Sequence, residues 1–246
     1  MISEEIIQNT KIEYWQKGKG DYLLFLHGAF SSFRFYVPLL ELLAQHYTVL
    51  APTLPGMGKS ESFGEGNTIS RYIEILTEFV QRKIGTQEFV FVGHSLGGGI
   101  GILLLKSGEL KIKKMILLNP VGQKIKNYFV RTAIGWLSVV IIHIKNMFHL
   151  GKTEIIPWDL LNIILRRPVE FIRIVRLLKQ FVISNQKIYN KNLKRCRIYT
   201  AYDDRYILPY HAEYLKSIIP RSTVQYQKNG GHIWFMYQKD VIKNFF

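Results

Sequence analysis

Three short segments carry residue types that could do chemistry together. The first is Gly93-His94-Ser95-Leu96-Gly97, a G-x-S-x-G pentapeptide. A serine hydroxyl is a weak nucleophile until a base takes its proton, and that base needs an orienting carboxylate. The second segment, Ala201-Tyr202-Asp203-Asp204-Arg205, offers two carboxylates. The third, Asn229-Gly230-Gly231-His232, presents a histidine from a glycine-lined loop. Alone, each is ordinary, since aspartates often serve turns and single histidines often only pack. Their order, Ser then Asp then His, is the order in which a strand-to-helix elbow meets its partners.

The elements that must position these residues follow from the hydrophobic pattern. Residues 22–26 read as a buried strand, 35–46 as a helix, 48–51 as a strand and 55–58 as a turn cluster. A helix over 68–84, capped by Thr68 or Asn67, leads to a strand over 88–92 and a helix over 96–107. The strand at 114–118 closes with Asn119 and Pro120. Such alternation predicts a mostly parallel sheet with crossover helices, the α/β class. It stops at Val121, and three or four helices follow to about Asn192, with breaks at Pro157 and Pro168. Strands return at 197–200 and 223–226, and a last helix is expected from Ile233. The expected organisation is a core of residues 1–120 and 193–246 with a helical lid, 121–192, inserted between two strands. Each of the three reactive segments then follows the end of a strand.

Composition narrows the classes. A chain of 246 residues, 48% hydrophobic and 21% charged, suits one folded domain with an insertion and excludes a disordered protein. The single cysteine, Cys196, excludes an internal disulfide and reads as a buried small residue near a strand. The first residues lack the basic-then-apolar layout of a secretory signal. The longest apolar stretch, 133–144, is interrupted by His143 and is too short to span a bilayer. A cytoplasmic location, with peripheral membrane contact, is the expectation. Of the net charge of +15, the segment from Val121 to Arg195 holds most, with 14 Lys/Arg against 3 Asp/Glu. The same segment is rich in aliphatic and aromatic residues, which suits an anionic membrane surface or amphiphile better than nucleic acid. A Lys- and Ile-rich composition accounts for the same charge without any partner. Phe129, Trp136, Phe148, Trp158 and Phe171 supply aromatic surface for an acyl pocket, or for packing of the lid on the core.

With these segments in place, the chain resembles the α/β-hydrolase superfamily over nearly its whole length. His27-Gly28-Ala29-Phe30 is similar to that family's His-Gly-x segment, and Pro55-Gly56-Met57-Gly58-Lys59-Ser60 to its Pro-Gly-x-Gly-x-Ser turn. Gly93–Gly97 resembles its elbow and Gly231-His232 its catalytic histidine. The resemblance implies Ser95 as nucleophile, His232 as general base and acid, and an aspartate after the penultimate strand. The family spaces its acid three residues after a glycine; Ala201 holds that place, which selects Asp204, with Asp203 as the alternative. The expected oxyanion donors are the backbone N–H of Leu96 and that of Ala29, with Phe30 as the alternative. Phe30, Trp136 and Trp158 are the expected substrate contacts. His27 and His94 read as structural, and Asn119 stands where some relatives carry their acid. Thr53 and Gln238 depart from the Asp and Glu that many relatives have there. No metal or cofactor is implied. The expected reaction is hydrolysis of a carboxylic ester, a small molecule with a hydrophobic acyl group, through an acyl-enzyme. The same residues could act on a carbon–carbon bond, thioester or amide, and a lipid-binding or scaffolding protein could keep the fold without turnover.

Overall fold

The computed structural model describes residues 1–64, 68–125, 158–237 and 245. Its strands are β1 (Ile2–Ile7), β2 (Thr10–Lys17), β3 (Tyr22–Leu26), β4 (Thr48–Pro52), β5 (Phe89–His94), β6 (Ile112–Leu118), β7 (Arg195–Ala201) and β8 (Ser222–Gln227). They join in one sheet in the order β1-β2-β4-β3-β5-β6-β7-β8. β1 and β2 pair antiparallel, as do β2 and β4, and every other neighbouring pair is parallel. The fold is therefore the mostly parallel α/β arrangement expected from the alternation of strands and helices.

Side chains alternate across the strands and sort the core into two layers. On one face, Leu24, Leu26, Phe89, Phe91, Met115 and Leu117 pack with α2 (Ile69–Lys83) and α3 (Leu96–Ser107). On the other, Leu23, Phe25, Val90, Val92, Ile116 and Leu118 pack with α1 (Val37–Leu43) and with Trp234 and Phe235. Both faces of the central strands are covered, which is why those strands read as continuous apolar runs. Cys196 on β7 is fully buried, and burial pushes its thiol up to about 12, so it is the inert packing residue expected.

Several elements differ from the sequence reading. The hairpin of β1 and β2 has no counterpart in it. Gln8 and Asn9 form its two-residue turn with φ of 47° and 60°, a conformation more often signalled by glycine. The helix expected over 35–46 is a 3₁₀ turn, Phe33–Tyr36, followed by the shorter α1. Pro38 is the reason for the division: lacking an N–H, it sits best in a first helical turn. Where a helix was expected from Ile233 to the C-terminus, Gly231–Met236 is a 3₁₀ turn, broken at Ile233 by non-helical backbone angles, and the rest of that expected helix, residues 238–244 and 246, lies outside the described residues. Between β6 and β7 lie α4 (Trp158–Arg166) and α5 (Pro168–Gln180), divided at Pro168 as the sequence predicted. Residue 121 onward to 125 is described, but the remainder of the expected lid before Trp158 lies outside the described residues. The helix α6 (Tyr210–Ile218) connects β7 to β8.

Candidate active site

β5 runs through the middle of the sheet and ends at His94, directly before Ser95. The chain reverses there into α3, and Ser95 takes φ 51° and ψ −116°. A non-glycine residue in that region costs about 1–3 kcal/mol, so its surroundings must hold it. They do: Ser95 N donates to Leu118 O at 3.0 Å, and Ser95 O accepts from Gly99 N and Val121 N, each at 3.1 Å. The two flanking glycines are required by close approach. A Cβ on Gly93 would lie 2.8 Å from Gly98 Cα, and one on Gly97 only 2.3 Å from Leu26 O. Strand, elbow and helix thus touch backbone to backbone. Leu96 is the first residue of α3, so its N–H has no intrahelical acceptor and stands at the positive end of the helix dipole.

The loop after β3 lies against this turn. A Cβ built on Gly28 would be 3.3 Å from Ser95 Cβ and 2.9 Å from His94 Nδ1. His27 fixes the loop: Nδ1 donates to Gly28 O at 2.7 Å, and Nε2 accepts from Leu54 N at 2.8 Å. Burial pushes the His27 imidazole down to about 4, so it stays neutral in that role. Ala29 is half-buried beside it, and Phe30, with φ 59°, turns inward to lie 5.3 Å from the ring of Phe171 on α5.

A chain of hydrogen bonds ties this loop to the histidine loop through the elbow. Gly28 N donates to Tyr36 Oη at 3.1 Å, and Tyr36 Oη donates to His94 Nδ1 at 2.7 Å. His94 Nε2 then donates to His232 O at 3.0 Å. The directions are consistent only with a neutral His94, and burial, aided by the neighbouring His232, holds its pKa well below the usual histidine value. Burial likewise raises Tyr36 to about 12, which keeps its hydroxyl a donor. The rings of His94 and His232 lie 4.6 Å apart, so the residue before Ser95 is in direct contact with His232.

Asp204 follows β7, is buried, and is surrounded by donors. Its Oδ2 accepts from His232 Nδ1 and Asn119 Nδ2, each at 2.7 Å. Its Oδ1 accepts from Tyr206 N at 2.8 Å and Ile207 N at 3.0 Å. Four donors match the lone-pair capacity of an ionised carboxylate. With Nδ1–H given to Asp204, the basic lone pair of His232 is on Nε2. Asp203 points elsewhere: its two oxygens accept from Gly230 N at 3.0 Å and Gly231 N at 2.9 Å. It braces the glycine loop from outside, while Asp204 meets the imidazole.

Asn119 and Tyr36 do more than the sequence suggested. The Asn119 amide also donates to Gly231 O at 3.1 Å and accepts from Trp234 Nε1 at 3.0 Å, so one side chain spans the acid and both ends of the histidine turn. Its place at a strand end was a usable signal; Tyr36, one aromatic among many, had none. Of the expected substrate contacts, Phe30 lies beside the elbow loop. Trp136 is outside the described residues, as are Phe129, Phe148 and Gln238, and for Trp158 only the backbone, at the start of α4, is described. The start of α5 rests on the turn after β4: Arg167, just before the helix, donates from Nη1 to Gly58 O at 3.2 Å, and a Cβ on Gly56 would lie 3.0 Å from Glu170 Oε2. Within the helix Arg173 pairs with the buried Glu170. Thr53, at that turn, is fully buried.

The family model described as alpha/beta hydrolase family matches residues 23–243. The dihydrolipoyllysine-residue acetyltransferase component of an acetoin cleaving system from Cupriavidus necator is 31% identical over 117 residues, 47% of this chain and 31% of that protein. A Mycoplasma genitalium protein named as a candidate esterase/lipase is 27% identical over 118 residues, 47% of this chain and 43% of that one. The chain thus spans less than half the length of these curated relatives. Among solved structures, a hydrolase from Pseudomonas aeruginosa PA01 superposes with a TM-score of 0.80 at 14% identity, covering 98% of this chain and 96% of its own. That likeness concerns the fold.

Proposed function

Because the chain belongs to the alpha/beta hydrolase family, and is an enzyme of the hydrolase type, we propose that it cleaves a carboxylic ester through Ser95, His232 and Asp204. The observation that carries this reading is the 2.7 Å bond from His232 Nδ1 to Asp204, in a loop that touches the residue before the strained Ser95. In the first step Ser95 Oγ attacks the ester carbonyl while His232 Nε2 takes its proton. The tetrahedral oxyanion is held by the N–H groups of Leu96 and Ala29. His232 returns the proton to the leaving alcohol, and the carbonyl reforms as an acyl-Ser95 ester. Water, giving its proton to His232 Nε2, then attacks the acyl group; as the bond to Ser95 Oγ breaks, His232 returns that proton to Oγ and the acid is released. Asp204 keeps the imidazole in the one tautomer that can do this. No metal or cofactor enters these steps.

We take the segment 121–192 as the lid and Phe30, beside the elbow loop, as a contact for a hydrophobic acyl group; Trp136 and the Trp158 side chain, the other contacts expected from the sequence, lie outside the described residues. The substrate is a small-molecule ester, not a nucleic acid. The same reading puts the protein in the cytoplasm, in peripheral contact with an anionic membrane surface. Its support is the basic, aliphatic character of the lid segment and a lone, buried cysteine that needs no oxidising compartment. Among the described residues, no helix is long and apolar enough to cross a membrane.

A serine-directed fluorophosphonate probe tests the chemistry. The intact protein is expected to label and Ser95→Ala not to. Absence of labelling of the intact protein, or equal labelling of the variant, would sink the catalytic reading in favour of a binding protein. Activity on p-nitrophenyl esters of graded length tests the acyl group, with an optimum at medium or long chains expected. A short-chain optimum would leave the hydrolase standing without its apolar pocket.

A further inference from the structure

α5 has two different faces. Its inward face packs Ile174, Leu177 and Leu178 into the core and sets Phe171 against Phe30, beside the elbow loop. Its outward face, at helical spacing, carries Val169, Ile172, Arg176 and Lys179, all exposed. The preceding helix α4 adds Ile164, Leu165 and Arg166 to the exposed residues. Leu165 is 70% exposed and Val169 58%, although aliphatic side chains of this size gain about 1.5–3 kcal/mol from full burial. From residue 160 to residue 202 the chain has ten Lys/Arg and one acidic residue, Glu170, which is buried and paired with Arg173. Within α4 and α5 themselves the acidic residues are Asp159, half-buried and accepting from Ser32 Oγ, and the buried Glu170, so the outer face combines exposed aliphatic groups with Arg166, Arg176 and Lys179.

We propose that the outer face of α4 and α5 docks on an anionic lipid bilayer. Leu165, Val169 and Ile172 enter the boundary between headgroups and acyl chains, and Arg166, Arg176 and Lys179 lie over the anionic headgroups. Charge complementarity selects the anionic partner, and the aliphatic groups select lipid over nucleic acid, whose bases would call for exposed aromatic platforms. The link to catalysis rests on the ester-hydrolase reading: the helix that touches the bilayer on one side touches Phe30 on the other. An ester drawn from the bilayer is then delivered beside Ser95.

The test is sedimentation of the full chain with vesicles of phosphatidylcholine alone and of phosphatidylcholine with phosphatidylserine. Binding is expected only to the second, and is expected to weaken with salt. Arg176→Glu/Lys179→Glu is expected to weaken it at least tenfold, the order two cations contribute near an anionic surface. Leu165→Ser/Val169→Ser/Ile172→Ser is expected to do the same while a circular dichroism melt shows the chain still folded, since these side chains are about half or more exposed. Equal binding to neutral vesicles, no binding at all, or variants that bind like the parent chain would overturn the proposal. So would tighter binding to single-stranded DNA than to anionic vesicles. Ser95→Ala is expected to bind vesicles as the parent does without turning over ester. Loss of activity and loss of docking are therefore separate outcomes.

Discussion

Exchanging each of the two neighbouring aspartates for asparagine separates their roles sharply. Asp204 receives four hydrogen bonds, from His232, Asn119, Tyr206 and Ile207, and every partner is a donor. Asparagine at 204 has one acceptor oxygen, so its amide must face two of those donors. If the amide faces Tyr206 and Ile207, two buried N–H groups are stranded, at about 1–3 kcal/mol each. If it faces His232, the imidazole escapes the clash by moving its proton to Nε2, and it can then no longer accept the Ser95 proton. Loss of the right tautomer costs about 10⁴-fold in kcat, or about 5 kcal/mol of barrier. Asp203 is exposed and accepts from two backbone amides, Gly230 and Gly231. Asp203→Asn keeps one acceptor and loses about 1 kcal/mol of loop anchoring, so kcat is expected within about tenfold of the parent. The assay is steady-state hydrolysis of a p-nitrophenyl ester, with circular dichroism melts to show that both variants fold. Equal losses in the two variants would refute the reasoning, as would an Asp204→Asn variant that keeps more than about a tenth of kcat.

Three further outcomes are expected. Gly97→Ala puts a Cβ 2.3 Å from Leu26 O and 2.5 Å from His27 O, both backbone, so a urea melt should show a loss of about 3 kcal/mol or more. A loss below about 1 kcal/mol would mean the elbow can shift away from β3. Tyr36→Phe strands Gly28 N–H and the Nδ1 acceptor of His94. Its kcat is expected to fall at least about tenfold with little change in KM, less than the 10²–10³ for deleting an oxyanion donor outright. Acid stability follows from His27, which takes a proton at the ordinary 6.5 when unfolded but only at about 4 when folded. The unfolded chain binds more protons between those values, so this contribution is complete above pH 6.5 and is lost as pH falls toward 4. The loss is on the order of 3 kcal/mol. His94, also held low by burial, acts in the same direction. The melting temperature should fall through that window, and His27→Gln should make the slope shallower.

What the sequence could determine by itself were features carried by local pattern. The strand before Ser95 and the helix after it are continuous apolar and small-residue runs, and the glycines of the pentapeptide sit where backbone must approach backbone. The central strands, covered on both faces, have the same clarity. Turns without glycine are less clear: Gln8 and Asn9 adopt positive φ, and Asn9, a type that tolerates that conformation, was by itself too weak a signal to make the β1–β2 hairpin legible. The carboxylate that meets His232 was only half legible. Asp203 and Asp204 are adjacent and chemically alike, and family spacing alone favoured the second. Their division of labour depends on how the loop after β7 meets the loop after β8, where Tyr202 N donates to Gln227 O at 3.0 Å. That contact joins residues 25 positions apart, and no periodicity encodes it. The same holds for the line from Gly28 through Tyr36 and His94 to His232, and for Asn119 between Asp204 and Trp234. Local pattern says which residues end strands, because burial on a regular backbone repeats along the chain. Only the packed tertiary structure decides which of those residues share a proton, because a hydrogen bond depends on tenths of an ångström between segments far apart in sequence.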